Sequence, residues 1–471
     1  MIGARIDSVA TYARSQPDAP ALADAEGGRR WTYKALDKAA DGAAAWLVAR
    51  LGPASGERVA VLARNRPETL ILHFAAVRAG AVFVPLNWRL TPVELSALDG
   101  MEGSPPPNAR RPWDQPATLL YTSGTSGRPK GVILTESNAF FGCLNFALGN
   151  RVGRDSVFLC DMPLFHTAGL FAASRVPLLG GGSVLISKGF DAGKTLARLG
   201  DPALAITHYF SVPQMAQRIW QEPGFDPAKL RGLRYWATGG APNPAAQIER
   251  FVRAGINMSN GFGMSETGSN YGVPMDDPDL VIAKGGTCGL PYAFVETLVV
   301  DEDGNALPAG ETGELWLAGP SVTPGYWNRP EENEAAFSGK WFRTGDAAML
   351  DEDGYLYVVD RRKDMYISGG ENVFPAEVEA ALAEMTEIAE AAVIGIPDAR
   401  WGEVGRAYLI LREGHALDEA SVRAHCAARL AKFKVPATVV IAADIPRTAS
   451  GKVLKHVLRD RALREMGETD A

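Results

Sequence analysis

Two apolar rhythms alternate through the first 240 residues. Short apolar runs such as ERVAVLA (57–63) and AVFVPL (81–86) suit strands, and between them PETLILHFAAVRAG (67–80) repeats its apolar positions at helical spacing and stops on glycine. Strand, helix and strand in that order predict α/β layers on mostly parallel sheets. The most apolar long window, 70–88, carries His73 and Arg78, and it reads as a buried helix turning at Gly80 into a strand rather than as a membrane span.

From about residue 289 to 359 the period shortens to two. VETLVVDEDGNALPAGETGELWLAG and MLDEDGYLYVVD are short strands punctuated by Asp-Gly turns, the mark of hairpins in a β-rich subdomain. Beyond DRRKD (360–364), helical PAEVEAALAEM and ASVRAHCAARLAKF alternate with strand-like IAEAAVIGIPD and RAYLILREG, which over about a hundred residues is the size of a compact α+β domain. The expected organisation is a large N-terminal domain of several subdomains over 1–360, with its β-rich part at about 289–359, and a small C-terminal domain over 361–471.

Composition narrows the class. The 471 residues are 46% hydrophobic and 22% charged, with a net charge of −7 and no run of five basic residues; this argues against a nucleic-acid groove but leaves room for a local basic patch on a polyphosphate. Cys143, Cys160, Cys288 and Cys426 lie far apart without a C-x-x-C pair, as expected of core thiols in a cytoplasmic protein with neither zinc nor disulfides. The N-terminal 22 residues read as a helix and a turn, not as a signal peptide, and no integral membrane segment is expected.

Chemistry first shows in YTSGTSGRPKG (121–131), where glycines, hydroxyls and a lysine can turn several donors toward one anion. It is not the ordinary phosphate loop, since proline precedes the lysine and glycine follows it, and GFDAGKT (189–195) is one spacer short and reads as a turn and helix start. The loop is flanked by the strand-like ATLLY and by VILTESNAFFGCLNFAL, whose TESN supplies helix caps, so it is expected between a strand and a helix. Four more stretches suit the same site: TGGAPNP (238–244), NGFGMSETG (260–268), WFRTGD (341–346) and PRTASGK (446–452).

In this order, together with DRRKDMYISGGENVFPAEVE, these stretches resemble the adenylate-forming superfamily of acyl-CoA synthetases, luciferases and peptide-synthetase adenylation domains, from about residue 16 to 460. The resemblance implies ATP, Mg²⁺ and coenzyme A as cofactors and assigns Thr122, Ser123, Gly124, Thr125, Ser126, Gly127 and Lys130 to the phosphates. Gly240, Ala241 and Pro242 would pack on adenine, Asn260 would donate to it, and Phe262 would stack on it where the family often has tyrosine. Gly261, Gly263 and Met264 complete that stretch, Ser265 stands in place of a common threonine near the α-phosphate, and Glu266 would hold Mg²⁺. Asp346 and Arg361 would bind the ribose.

The implied reaction has two steps. A carboxylate attacks the α-phosphorus of ATP, with the Lys452 ammonium offsetting the meeting of two anions; a thiol then displaces AMP after the small, mobile C-terminal domain rotates about Asp360, with Lys363 nearby. Rotation would bring Gly369 and Gly370 to the site, where glycines admit a narrow pantetheine arm. A lone histidine in an apolar run such as MPLFHTAGL is more often a core residue, but the resemblance gives His166 a gating role in catalysis. His208, Tyr209, Phe210, Trp236 and Tyr271 are expected along an acyl pocket without a deep lysine or arginine, which favours an apolar acid over a malonate-like diacid.

The family usually carries several dozen more residues between LTPVELSAL and the phosphate loop, where about twenty remain here. The expected partners are a small-molecule carboxylic acid and CoA, with the protein a monomer or homodimer. A ligase that loads a carrier protein, an enzyme of one half-reaction and a nucleotide-binding module without turnover stay open.

Overall fold

The computed structural model describes residues 7–90, 112–122, 129–241, 243–361, 364–368, 371–398, 400–447 and 453–469. By packing, the chain divides into two units, Met1–Thr297 with Leu317–Arg343, and Leu298–Trp316 with Thr344–Ala471. The cuts fall inside the strands Glu296–Val300, Gly313–Ala318 and Trp341–Leu350, within the stretch expected to be β-rich.

The first unit is built on a nine-stranded sheet. Its strands run Leu290–Pro291, Gly268–Gly272, Met258–Met264, Tyr235–Thr238, His208–Ser211, Val157–Cys160, Ser183–Ile186, Pro20–Asp24 and Arg30–Thr32. The pairs from Met258–Met264 across to Pro20–Asp24 are all parallel, as the alternating apolar rhythm predicts. Successive side chains leave a strand on opposite faces, so Phe158, Cys160, Val184 and Ile186 enter one core while Leu159, Leu185, Tyr209 and Trp236 enter another.

A second, four-stranded sheet orders Arg58–Leu62, Val82–Leu86, Pro116–Thr122 and Lys130–Thr135, the last pair antiparallel. The expected buried helix is Pro67–Ala79, apolar on nearly all sides, and it ends at Gly80 with φ +71. Only glycine suits that cap, because a Cβ there would stand 2.6 Å from the Ala54 Cα. Arg78 reaches off this helix to Asp7, Asp37 and Asp41 at 2.7–2.8 Å.

One expectation about placement is corrected. The 123–128 loop joins two antiparallel strands rather than a strand and a helix, because the apolar Val132-Ile133-Leu134 run pairs with 118–120 before the helix Glu136–Gly149 begins. That helix starts as expected on a capping box between Thr135 and Asn138. GFDAGKT is a turn and the start of helix Ala192–Leu199, capped by Asp191.

In the second unit the hairpin Trp341–Leu350 to Leu356–Arg361 turns at Asp351, whose carboxylate accepts from the Asp353 and Tyr355 N–H groups. The C-terminal sheet orders Glu371–Val373, Tyr366–Ser368, Gly402–Leu411 and Ile388–Asp398, with Thr438–Ile441 also on Gly402–Leu411. Helices Pro375–Ala383 and Glu419–Ala427 pack with Val393 and Leu409 on one face, and Lys455–Thr469 packs with Ile394 and Tyr408 on the other. Among the described residues no helix is long and apolar enough to cross a membrane, and all four cysteines are thiols.

Candidate active site

Three neighbouring parallel strands of the first unit end together, and a fourth, Met258–Met264, runs on past Asn260 into a hairpin. Thr238 lies beside Ser211 on one side and Asn260 on the other, and the next strand over finishes at Cys160. The segments leaving these ends carry His166 and Thr167, the 239–243 turn, and the hairpin with Ser265 and Glu266. A crevice beyond the carboxyl ends of parallel strands is where open α/β sheets bind ligands.

The hairpin is tight. Met264 pairs with Gly268, leaving Ser265, Glu266 and Thr267 as its tip. Gly268 has φ +73, and a Cβ on it would stand 3.1 Å from the Gly142 Cα, so the helix Glu136–Gly149 lies directly on the hairpin. The Thr267 hydroxyl donates to Asn270 Oδ1 at 2.5 Å, which fixes the tip from inside. Ser265 Oγ stands 3.1 Å from Thr167 Oγ1, and this bond ties the GMSETG hairpin to the MPLFHTAG segment. His166 is half-buried against Phe165, one residue before Thr167, which stands just ahead of the π-helix Ala168–Arg175. Such helices recur at functional sites.

Glu266 is only 8% exposed. Its Oε1 accepts from the Tyr326 hydroxyl at 3.1 Å and its carbonyl from the Thr323 N–H at 2.7 Å. Lys130 Nζ stands 5.0 Å from the centre of the Tyr326 ring. Lys130 and Glu266, 136 residues apart in sequence, therefore share one tyrosine.

On the adenine side, Asn260 is buried and its Nδ2 donates to the Thr287 carbonyl at 3.2 Å. Its Oδ1 is buried and has no partner among the described residues. Phe262 stands edge-on to Tyr271 at 6.2 Å and keeps part of its ring exposed, with Gly261, Gly263 and Met264 partly exposed beside it. Gly240 and Ala241 follow Thr238 in a turn pinned by the Asn243 side chain, which donates to Thr238 Oγ1 at 2.8 Å.

In the second unit, Asp346 and Arg361 face each other in register across the Trp341–Leu350 hairpin, and Asp346 is 2% exposed. Thr122 ends its strand one position before the loop. Ser123, Gly124, Thr125, Ser126, Gly127, Pro242, Lys363, Gly369, Gly370 and Lys452 lie outside the described residues, as do the side chains of Asp360 and Arg361.

Four of the five ring-bearing positions expected to line an acyl pocket are corrected. His208, Tyr209, Trp236 and Tyr271 are all 2% exposed or less. Trp236 donates to Ser211 Oγ and packs on Phe251, and Tyr209 bonds Asp161, so both serve the core on the far face of the sheet. His208 is stacked on Phe158 at 4.7 Å with its Nε2 at the Asn150 carbonyl, and burial pushes it down to about 4, so it is neutral. Tyr271 bonds Thr297. Strand alternation instead turns the half-buried Phe210 and Ala237 toward the Glu136–Gly149 helix, where Phe210 meets Phe146 at 6.0 Å.

A crevice of about 20 Å³ runs on from Thr167 and Ser265 to Ala139, Cys143, Phe171 and Ala172. Burial raises the Cys143 thiol to about 12, which rules it out as a nucleophile. Deeper still, Arg175 bonds Glu136 through both nitrogens at 3.0 Å and meets His73 at 3.1 Å. A larger open groove of about 520 Å³, between 190–193 and Arg218, Gln221 and Glu222, contains none of the site residues.

Sequence reasoning missed Tyr326 and Thr167. GYWN offers no more than a glycine turn before two aromatics, and Thr167 stood unremarked beside the histidine. As for a metal, no three His, Cys, Asp or Glu residues among those described could hold an ion together. A single buried, phenol-oriented carboxylate is nonetheless the donor that Mg²⁺ accepts when phosphate oxygens and water supply the rest, so Glu266 fits the expected ion.

Comparison with known proteins agrees with this geometry. The chain matches the AMP-binding enzyme family over 9–98 and 97–327, two stretches meeting at the shortened segment, and the AMP-binding enzyme C-terminal domain over 377–452. It is 38% identical to a feruloyl-CoA synthase of an Amycolatopsis species, over 95% of this chain and 97% of that protein. Among solved structures it is similar to ATP-bound MatB from Rhodopseudomonas palustris, with a TM-score of 0.87 and 31% identity over 96% and 98% of the two chains. It is also similar to the o-succinylbenzoate coenzyme A synthetase MenE from Bacillus subtilis in complex with ATP and magnesium ion, with a TM-score of 0.85 and 30% identity over 96% and 99%. This chain belongs to the AMP-binding enzymes, the adenylate-forming family.

Proposed function

We propose that the protein is an ATP-dependent acid–thiol ligase that joins an apolar carboxylic acid to CoA through an acyl-adenylate, releasing pyrophosphate and then AMP. The observation that carries this reading is the convergence of Glu266, Ser265, Thr167 and Lys130 beside the carboxyl ends of the parallel strands. Lys130 supplies charge to the phosphates, and Asn260 lies beside the adenine. Mg²⁺, when bound, would neutralise phosphate charge, with Glu266 as its protein ligand. Asp346 and Arg361 hold the ribose, and Lys452 stabilises charge at the α-phosphate only during adenylation. Rotation about Asp360, with Lys363 nearby, then lets Gly369 and Gly370 admit pantetheine, while His166 separates the carboxylate and thiol paths. We assign the protein to the cytoplasm, where ATP and CoA are both supplied.

The acid is apolar because the crevice has no spare cation among the described residues. Arg175 is the single arginine or lysine among the described residues that is buried, and both its terminal nitrogens already serve Glu136. A second carboxylate in the acyl group would meet no counter-charge there. Phe210 and Ala237 replace Tyr209 and Trp236 as the walls that meet the acyl group.

Acid-dependent ATP–pyrophosphate exchange over a panel of aromatic, linear and dicarboxylic acids, followed by addition of CoA, tests the reading. Exchange with monocarboxylic acids and thioester formation with CoA are expected. Exchange driven by diacids alone would overturn the pocket assignment, and no exchange with any acid would overturn the function.

A further inference from the structure

We infer that Tyr326 is a positioning residue that sets Glu266 and Lys130 at a fixed separation for the polyphosphate of Mg–ATP. This rests on the reading that those two side chains bind Mg–ATP.

The inference starts from where the chain puts Tyr326. The segment 323–327 lies along the strand Lys130–Thr135 as an added edge. The Ile133 N–H donates to the Gly325 carbonyl at 3.0 Å, the Trp327 N–H to the Gly131 carbonyl at 2.8 Å, and Val132 and Tyr326 form an antiparallel bridge. The Thr323 hydroxyl adds bonds to the Ile133 and Gly325 carbonyls at 2.5 and 2.9 Å. From behind, Asn333 accepts from the Tyr326 N–H at 2.6 Å and donates to its carbonyl at 2.9 Å. The backbone under Tyr326 is thus locked to the strand that bears Lys130.

The same segment also reaches the hairpin, for the Thr323 N–H donates to the Glu266 carbonyl at 2.7 Å. From this doubly tied base the ring does two jobs. Its hydroxyl donates to Glu266 Oε1, which holds the carboxylate in one rotamer, and its face lies 5.0 Å from the Lys130 ammonium. An isolated glutamate and lysine 136 residues apart would each sample several rotamers before binding, and ordering them would cost affinity. A shared phenol imposes that order in advance. The two jobs are separable, since the hydroxyl serves the carboxylate and the ring serves the ammonium.

Substitution can therefore dissect them. Tyr326→Phe keeps the ring and loses the hydroxyl, while Tyr326→Leu loses both. Binding of Mg–ATP, measured by calorimetry without acid, is compared with binding of AMP, which lacks the β- and γ-phosphates. Tyr326→Phe is expected to weaken Mg–ATP about tenfold, the scale of one hydrogen bond to a charged group, and to leave AMP within twofold. Tyr326→Leu is expected to lose about a further threefold on Mg–ATP, the scale of an exposed cation–π contact. Equal loss for AMP and Mg–ATP, or no loss on Mg–ATP in Tyr326→Phe, overturns the inference while the site reading stands. Equal Mg–ATP affinity in the Phe and Leu variants overturns the Lys130 half. If the wild-type protein does not bind Mg–ATP, the site reading fails and the inference fails with it.

Discussion

Arg175 and Glu136 form a bidentate ion pair, 3.0 Å at both oxygens, closed off from water. It joins the end of the π-helix that begins beside His166 to the start of the helix that lies on the Met264–Gly268 hairpin. Removing one partner strands a charge in the core, so Glu136→Ala should cost about 3–5 kcal/mol. The double variant Glu136→Leu with Arg175→Met should recover most of that loss. Denaturant midpoints check both, and a single variant that costs under about 1 kcal/mol would show that water reaches the pair.

The Thr167 to Ser265 contact predicts a kinetic split. Thr167→Val should lower the adenylation kcat about tenfold, the scale of one lost hydrogen bond between neutral groups, with KM for ATP little changed; Thr167→Ser should restore the rate. A change in KM alone would make the contact structural.

Trp236 and Phe210 should separate stability from selectivity. Trp236→Phe loses the bond to Ser211 and some core volume, about 1–3 kcal/mol, without altering the order of preferred acids. Phe210→Ala should reorder the panel in favour of bulkier acids. Selectivity that follows Trp236 instead would return it to the acyl pocket.

His208 predicts a pH dependence with a definite sign. Desolvation is the main cause of its low value, opposed by the Asn150 carbonyl and assisted by Arg234. The unfolded chain takes up this proton below about 6.5 and the folded chain only near 4, so stability present above 6.5 is lost as the pH falls through that window. The full difference is about 3 kcal/mol. His208→Gln should flatten the slope of stability against pH between 6.5 and 4. His73, also held neutral by burial, contributes with the same sign. An unchanged slope in the variant would mean that folded His208 takes up a proton in that range.

Lys452 and Asp360 divide the half-reactions. Lys452→Ala should lose acid-dependent pyrophosphate exchange by about two to four decades, or 3–5 kcal/mol in the barrier, and should still convert supplied acyl-adenylate and CoA to thioester. Asp360→Pro should do the reverse, since a fixed φ obstructs rotation. Equal slowing of both steps by Lys452→Ala would mean one fixed active site.

The sequence alone determined the layered class, which is local, and the family resemblance, whose short motifs imply the nucleotide chemistry. A helix such as Pro67–Ala79 is written in its period and its Gly80 cap, and Glu266 and Lys130 sit in short stretches that carry the resemblance. Tertiary structure decided the pairings and the facings. Nothing near Lys130 says that the strand after it pairs back on 116–122, or that Tyr326 will lie between it and Glu266, because register and cross-chain hydrogen bonds are settled only when the sheets assemble. The aromatic run on either side of Tyr209 showed its bulk and hid its direction. A strand turns neighbouring side chains to opposite faces, and which face becomes core depends on the helices that arrive from elsewhere in the chain, so Phe210 packs half-buried against the Glu136–Gly149 helix while Tyr209 and Trp236 are buried on the other face.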